Sequence, residues 1–351
     1  MPELLDYLDR AVKDNASDLF IVAGGAVSEK VKGDMIPLGE KVLPNETYRL
    51  IEQIYQRASR SMDRYLERGD DDFSFSVPGL ARFRVNAYRQ RGSLAAVVRV
   101  VSFEIPDYSA LHIPQAVMDL AEVEHGMVLV TGTAGSGKST TQACIIDKIN
   151  RTRAGHIITL EDPIEFLHRD QKSIVSQREI AIDTEDYLSA LRACLRQAPD
   201  VILLGEMRDH ETIHTAMTAA ETGHLLIATL HTKGAVNTID RIVDTFPAGQ
   251  QGQVRVQLSM VLHTVVSQQL LPGVDGGRVP AYEIMHMNSA IRSLIRESKT
   301  HQIEDAIARG GDEGMLSMDQ SILDLYKKGL ITDKVALEYA DNPEQLRRRM
   351  G

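Results

Sequence analysis

Residues 3–14 place Leu4, Leu5, Leu8 and Val12 at helical spacing, so the chain opens on an amphipathic helix. Asp18–Val22 follows as a short apolar run ending at Gly24-Gly25, which reads as a strand and a turn. Leu50, Ile51, Ile54 and Tyr55 mark a second helix. Asp72–Val77 and Ala81–Tyr88 alternate as strands around Pro78-Gly79, and Ala95–Val101 is a further apolar, β-branched run. Residues 1–103 thus read as a small α+β domain. Residues 104–116 hold Pro106 and Pro114 without periodicity and read as an interdomain linker. From Met127 the pattern changes. Four short, wholly apolar runs (Met127–Val130, Ile157–Leu160, Val201–Leu204, Leu225–Leu230) alternate with longer helical stretches. That is the signature of a parallel sheet covered on both faces, so the fold class is α/β, with residues 117–351 as the second domain. Beyond about residue 271 the pattern reads as mostly helical, broken at Gly273–Gly277 and Gly310–Gly314. Met260, Met285 and Met287 read as core filling.

Composition narrows the function classes. A chain of 351 residues, 43 % hydrophobic and 25 % charged, is neither disordered nor fibrous and has room for two cored domains. Its net charge of −10 argues against a general nucleic-acid binder. Cys144 and Cys194 make no CxxC pair, so neither a local zinc site nor a redox motif is expected. The acidic N-terminus lacks a signal-peptide pattern, and no window of 18 apolar residues exists, which predicts a cytosolic protein without a membrane span.

The chemistry enters at Gly132-Thr133-Ala134-Gly135-Ser136-Gly137-Lys138-Ser139, which matches GxxxxGK[ST] between an expected strand and an expected helix. Chance occurrence is on the order of one in a hundred. Glycines let backbone N–H groups turn toward phosphates, and the helix N-terminus adds positive potential. The pattern assigns Lys138 to the β- and γ-phosphates and the Ser139 hydroxyl to Mg²⁺, with Thr140 beside it in the first helical turn. ATP and Mg²⁺ are therefore the expected ligands.

Hydrolysis also needs a carboxylate that orients water. Glu206 follows the apolar run Val201–Leu204 and Gly205, where a Walker B aspartate often stands, and is the leading choice. Glu161 and Asp162 follow Ile157–Leu160, and either one can help hold Mg²⁺ or its waters. His224 and His231 bracket a third strand on opposite faces, about 23 Å apart if fully extended, which argues against a shared metal. His231, at the carboxyl end, is the better candidate for sensing the γ-phosphate. Between Arg82 and Phe103 stand five arginines and no Asp, Glu or Lys. Arg84 and Arg91 are the leading candidates for arginine fingers reaching a nucleotide across a head-to-tail subunit contact.

Taken together, the phosphate loop, ITLEDPIE, VILLGEMRD and TGHLLIATLHT resemble, in order and spacing, the secretion ATPases of type II secretion and type IV pilus systems. RFRVNAYRQRG and AIRSLIRE at Ala290–Glu297 extend the likeness over nearly the whole chain. AIRSLIRE resembles the AIRNLIRE signature of the retraction branch, with Ser293 in place of Asn. The resemblance implies a PAS-like N-terminal domain, a RecA-like core with helical C-terminal elements, and a homohexameric ring. It also implies ATP hydrolysis coupled to pilin removal at the cytosolic face of the inner membrane. An inner-membrane platform protein and a second retraction ATPase are the implied partners. Short length and the missing four-cysteine zinc element favour retraction over assembly. An accessory retraction ATPase, a nucleotide-gated scaffold and, less favoured, a pilus assembly ATPase or a nucleic-acid translocase are the alternatives.

Overall fold

A computed structural model describes residues 2–101 and 104–351. The ends of the expected first domain, Met1 and Phe103, lie outside the described residues with Ser102. The chain divides into two compact units, one of residues 1–104 with 165–167, the other of residues 105–164 with 168–351.

The first unit runs α1 (Leu4–Lys13), β1 (Asp18–Ile21), β2 (Ala26–Val31), β3 (Asp34–Lys41), α2 (Pro44–Arg57), α3 (Asp63–Arg68), β4 (Asp70–Val77), β5 (Ala81–Gln90) and β6 (Ser93–Val101). Its strands form one six-stranded sheet in the order β3-β2-β1-β6-β5-β4, every pairing antiparallel. Period-two alternation on β5 turns Ala81, Phe83, Val85 and Ala87 into the core, and so turns Arg82 and Arg84 to the other face. The core stacks Tyr55 on Tyr65, centroids 5.7 Å apart, and Tyr55 against Phe73. Asp71 is buried there and takes both Nε and Nη2 of Arg60, at 2.9 and 2.8 Å, plus the Tyr55 hydroxyl at 3.1 Å. A buried carboxylate is tolerated because all these donors satisfy it.

The second unit runs α4 (Gln115–Met118), β7 (Gly126–Thr131), α5 (Lys138–Thr152), β8 (His156–Glu161), β9 (Ile174–Glu179), α6 (Tyr187–Cys194), β10 (Val201–Leu204), α7 (His210–Glu221), β11 (Leu225–Leu230), α8 (Ala235–Asp244), α9 (Ala248–Val261), β12 (Leu262–Pro272), β13 (Arg278–His286), α10 (Ser289–Arg296), α11 (Ile303–Arg309), α12 (Met318–Lys327), α13 (Asp333–Tyr339) and α14 (Pro343–Met350). The sheet order is β13-β12-β7-β11-β10-β8-β9, parallel except for the β12–β13 hairpin. Met127 and Leu129 of β7 face the layer of α6 to α11, while Val128 and Val130 face α4 and α5. A strand buried on both faces must be apolar throughout, which is why these four runs lack alternation. Cys144 and Cys194 are free and buried, and burial pushes both thiols up to about 11.

The structure corrects three expectations. The helical C-terminal part does not begin near residue 271, because β12 and β13 extend the sheet to His286 and the Gly273–Gly277 break is their turn. Helices start at Ser289. The 104–116 segment, expected as an interdomain linker, belongs from residue 105 to the second unit, where Ile105, Tyr108, Leu111 and Ile113 pack on the α5-side core and α4 starts within it. Met285 is core and Met287 packs against it, but Met260 is 55 % exposed on α9.

Candidate functional site

Parallel strands aim their carboxyl ends at one edge of the sheet, and there β7, β10 and β11 bring the candidate residues together. Between Thr131 and Lys138 the chain makes the phosphate loop, with Thr133, Ala134 and Gly135 exposed at its tip. Gly132 has φ +141°, and a Cβ there would stand 2.3 Å from the Gln268 carbonyl oxygen, so no other residue fits. Lys138 is only 7 % exposed. Its Nζ donates to the carbonyls of Gly132 at 2.9 Å and Thr133 at 3.0 Å, and lies 3.4 Å from Nδ1 of His231.

His231 bridges two parts of the site. Its Nε2 lies 3.4 Å from Oε1 of Glu206, whose Oε2 is 2.7 Å from Nη2 of Arg208. An ammonium can only donate, so Nδ1 accepts and the ring presents Nε2–H to the glutamate. Glu206 stands where β10 gives way to Gly205. A Cβ on residue 205 would meet the Tyr187 hydroxyl at 2.7 Å and the Leu160 carbonyl at 3.1 Å, which explains glycine where an aspartate often stands. Glu161, ending β8, accepts from the Thr159 hydroxyl at 2.6 Å and from Gln177 Nε2 at 3.2 Å. Asp162 follows it.

Tyr187, at the first turn of α6, gave no sequence signal. Burial, and then the negative charges of Asp162, Glu206 and Glu161, raise its hydroxyl well above the ordinary phenol range. It therefore stays protonated and can donate into the acid cluster.

Not every candidate converges. His224 sits at the amino end of β11, about 20 Å of strand from His231, with Nδ1 2.9 Å from the Ala219 carbonyl. That contact lies at the far end of the strand from the phosphate loop, so His224 does not join the Lys138, His231 and Glu206 group within this chain. Arg84 lies on β5 in register with Ser74 and Arg99. Arg91 is exposed at the β5–β6 turn. The arginine run is also less uniform than it reads, because Asp18 of β1 takes Nε of Arg99 at 2.9 Å.

The loop fits a polyphosphate and its cation. Ser136 Oγ is buried with no hydrogen-bond partner among the described residues, Ser139 and Thr140 are half-buried in the first turn of α5, and Lys138 supplies the charge. Beside the loop a cavity of about 200 Å³ is lined by Gly137, Thr140, Thr141, Leu270, Pro280 and Tyr282.

The family described as Type II/IV secretion system protein matches residues 2–276. The type IV pilus retractation ATPase PilT of Pseudomonas aeruginosa is 45 % identical over 344 residues, 97 % of this chain and 99 % of that protein. The type IV pilus ATPase PilU of the same organism is 39 % identical over 338 residues, 96 % of this chain and 88 % of that protein. A crystal structure of the pilus retraction motor PilT with bound ADP is similar at a TM-score of 0.89 and 45 % identity, covering 99 % of this chain and 100 % of that one. With a family match that starts at residue 2, ahead of α1, and runs through the phosphate loop, Glu206 and His231, this chain belongs to the type II/IV secretion system proteins.

Proposed function

We propose that this chain is an ATP-hydrolysing motor that drives type IV pilus retraction from the cytosolic side of the inner membrane. The observation that carries the reading is the contact series from Lys138 through His231 to Glu206, which joins a phosphate loop to a water-orienting carboxylate. The 200 Å³ cavity beside Gly137 takes the base of ATP, and the exposed loop tip takes its phosphates. Ser139, with Glu161 through water, would hold Mg²⁺, which neutralises charge developing on the phosphates. Glu206 orients the attacking water and accepts its proton. Lys138 holds the β- and γ-phosphates, and His231 reads whether the γ-phosphate is present. Both give up contacts described above to do so.

The antiparallel first unit supports a PAS-like domain, and the parallel sheet with its loop supports a RecA-like core. Arg84 and Arg91 act as fingers on a neighbouring subunit's nucleotide in a homohexamer. An inner-membrane pilus platform receives the force, with a second retraction ATPase as co-worker. Greater identity to PilT than to PilU, 45 % against 39 %, and AIRSLIRE favour the retraction motor over the accessory role. The test is ATP turnover by the purified chain beside Glu206→Gln, with pilus state scored after deletion. Wild-type turnover abolished by the substitution, and long non-retracting pili, are expected. Absent turnover or bald cells overturn the proposal.

A further inference from the structure

Four buried polar side chains of the β12–β13 hairpin carry none of the catalytic roles assigned above. Ser267 and Glu283 face each other in register, as do the next pair, Gln268 and Tyr282. Side chains alternate along a strand, so the two pairs point to opposite faces of the sheet. On the α8 face, Ser267 Oγ accepts from the Gly234 N–H at 2.9 Å and Glu283 Oε1 accepts from the Ala235 N–H at 2.7 Å. These N–H groups open α8 directly after His231, Thr232 and Lys233. At a helix start such donors lack intrahelical partners, and an acidic acceptor also matches the helix dipole. On the α5 face, Gln268 Oε1 accepts from the Thr141 hydroxyl at 2.8 Å, and the Tyr282 hydroxyl lies 3.4 Å from Thr141 Oγ1. Thr141 stands one turn beyond Lys138, and the Gln268 carbonyl is what presses on Gly132.

We infer that the hairpin is a yoke: Ser267 and Glu283 position the His231 loop, while Gln268 and Tyr282 position the phosphate loop, so that Lys138, His231 and Glu206 stay in mutual reach. Adjacent residues of one strand thus fix both halves of the site. Any movement of either loop on ATP turnover must pass through this hairpin, which leads at His286 toward the AIRSLIRE helix α10. Ser267 and Glu283 act through the His231 loop alone, whereas Gln268 and Tyr282 hold the phosphate loop and also line the cavity assigned to the base. The inference rests on the ATP-hydrolysis reading above.

The two faces make separable predictions. In the full chain, Ser267→Ala and Glu283→Ala lower kcat about tenfold or more and leave the Kd for a fluorescent ADP analogue within about threefold, since misplacement of a catalytic group weighs on kcat. Glu283→Gln keeps an acceptor for Ala235 N–H and restores kcat. Thr141→Val, close in shape, and Gln268→Ala raise the Kd for the analogue about tenfold, and Thr141→Ser restores it. Melting temperature is recorded for every variant, and the milder pair, Ser267→Ala and Thr141→Val, decides the matter if the others do not fold. Folded variants with kcat and Kd both within twofold of wild type overturn the yoke, as does an equal shift of both parameters from either face. A wild-type chain without turnover overturns the nucleotide reading and the yoke with it, whereas an active wild type with unaffected variants overturns the yoke alone.

Discussion

Nδ1 of His231 lies 3.4 Å from Nζ of Lys138, although 93 residues separate them in the chain. The contact exists because β7 and β11 are paired in parallel with Thr131 opposite Leu230, so both residues project from the same sheet edge. A buried lysine held against two carbonyls and an imidazole is pre-positioned, and the far side of the same ring faces Glu206.

His231→Ala removes the bridge while leaving the phosphate loop whole. Turnover is expected to fall about 10–100-fold, within the range of groups that organise proton transfer, with ADP affinity changed less than about threefold. The His231 side chain is half-exposed, so melting should not move. Steady-state hydrolysis beside a binding titration checks this, and an equal loss of affinity and turnover speaks against it.

Gly205→Ala places a methyl carbon 2.7 Å from the Tyr187 hydroxyl. Overpacking of this kind costs about 1–3 kcal/mol and shifts Glu206, its neighbour. Removing the obstructing oxygen should relieve it, so Gly205→Ala with Tyr187→Phe is expected to be more stable than Gly205→Ala alone. Denaturant unfolding of both singles and the double measures the coupling. Additive losses contradict the clash.

The parallel strands and the phosphate loop were legible because burial on both faces leaves a continuous apolar run, and because the loop's chemistry is local in sequence. Glu206 was legible from its place after such a run. The β12–β13 hairpin was not, because α9 passes into β12 between Val261 and Leu262 with no glycine or proline to mark the change. Strand β2 and edge strand β3 escape the pattern for a different reason. They are short or largely exposed, with Leu38 the buried residue of β3, so little alternation shows. Tyr187 and Gln268 reach the site only through tertiary pairing, 19 and 62 residues from Glu206 in sequence, and no local pattern carries that.

Arg292 gives AIRSLIRE a structural role apart from any partner. Its Nη1 donates to the carbonyls of Ser259 and Met260 at the C-terminal end of α9, where helix carbonyls lack partners. Arg292→Ala is expected to cost about 2 kcal/mol, the scale of a charged hydrogen bond. Arg296 is exposed, and Arg296→Ala should stay within about 0.5 kcal/mol of wild type. Chemical unfolding separates the two. If the motif's outer face meets the pilus machinery, Arg296→Ala cells stop retracting while the purified variant keeps its turnover.

His168 gives the fold an acid-sensitive point. Its Nδ1 is sealed from solvent with no partner among the described residues, and burial lowers its pKa to about 4, with Asp147 opposing. In the unfolded chain the ring titrates near 6.5. Between those values the unfolded state binds the proton and the folded state does not, so stability present above about pH 6.5 is lost as pH falls toward 4. The full window is worth about 3 kcal/mol. His168→Phe keeps the volume without a titrating nitrogen and should flatten this limb. Urea unfolding at pH 7 and pH 4.5, wild type against variant, reads the difference directly, because other titrating groups cancel. Equal losses between the two pH values in both proteins contradict a buried neutral imidazole at this position.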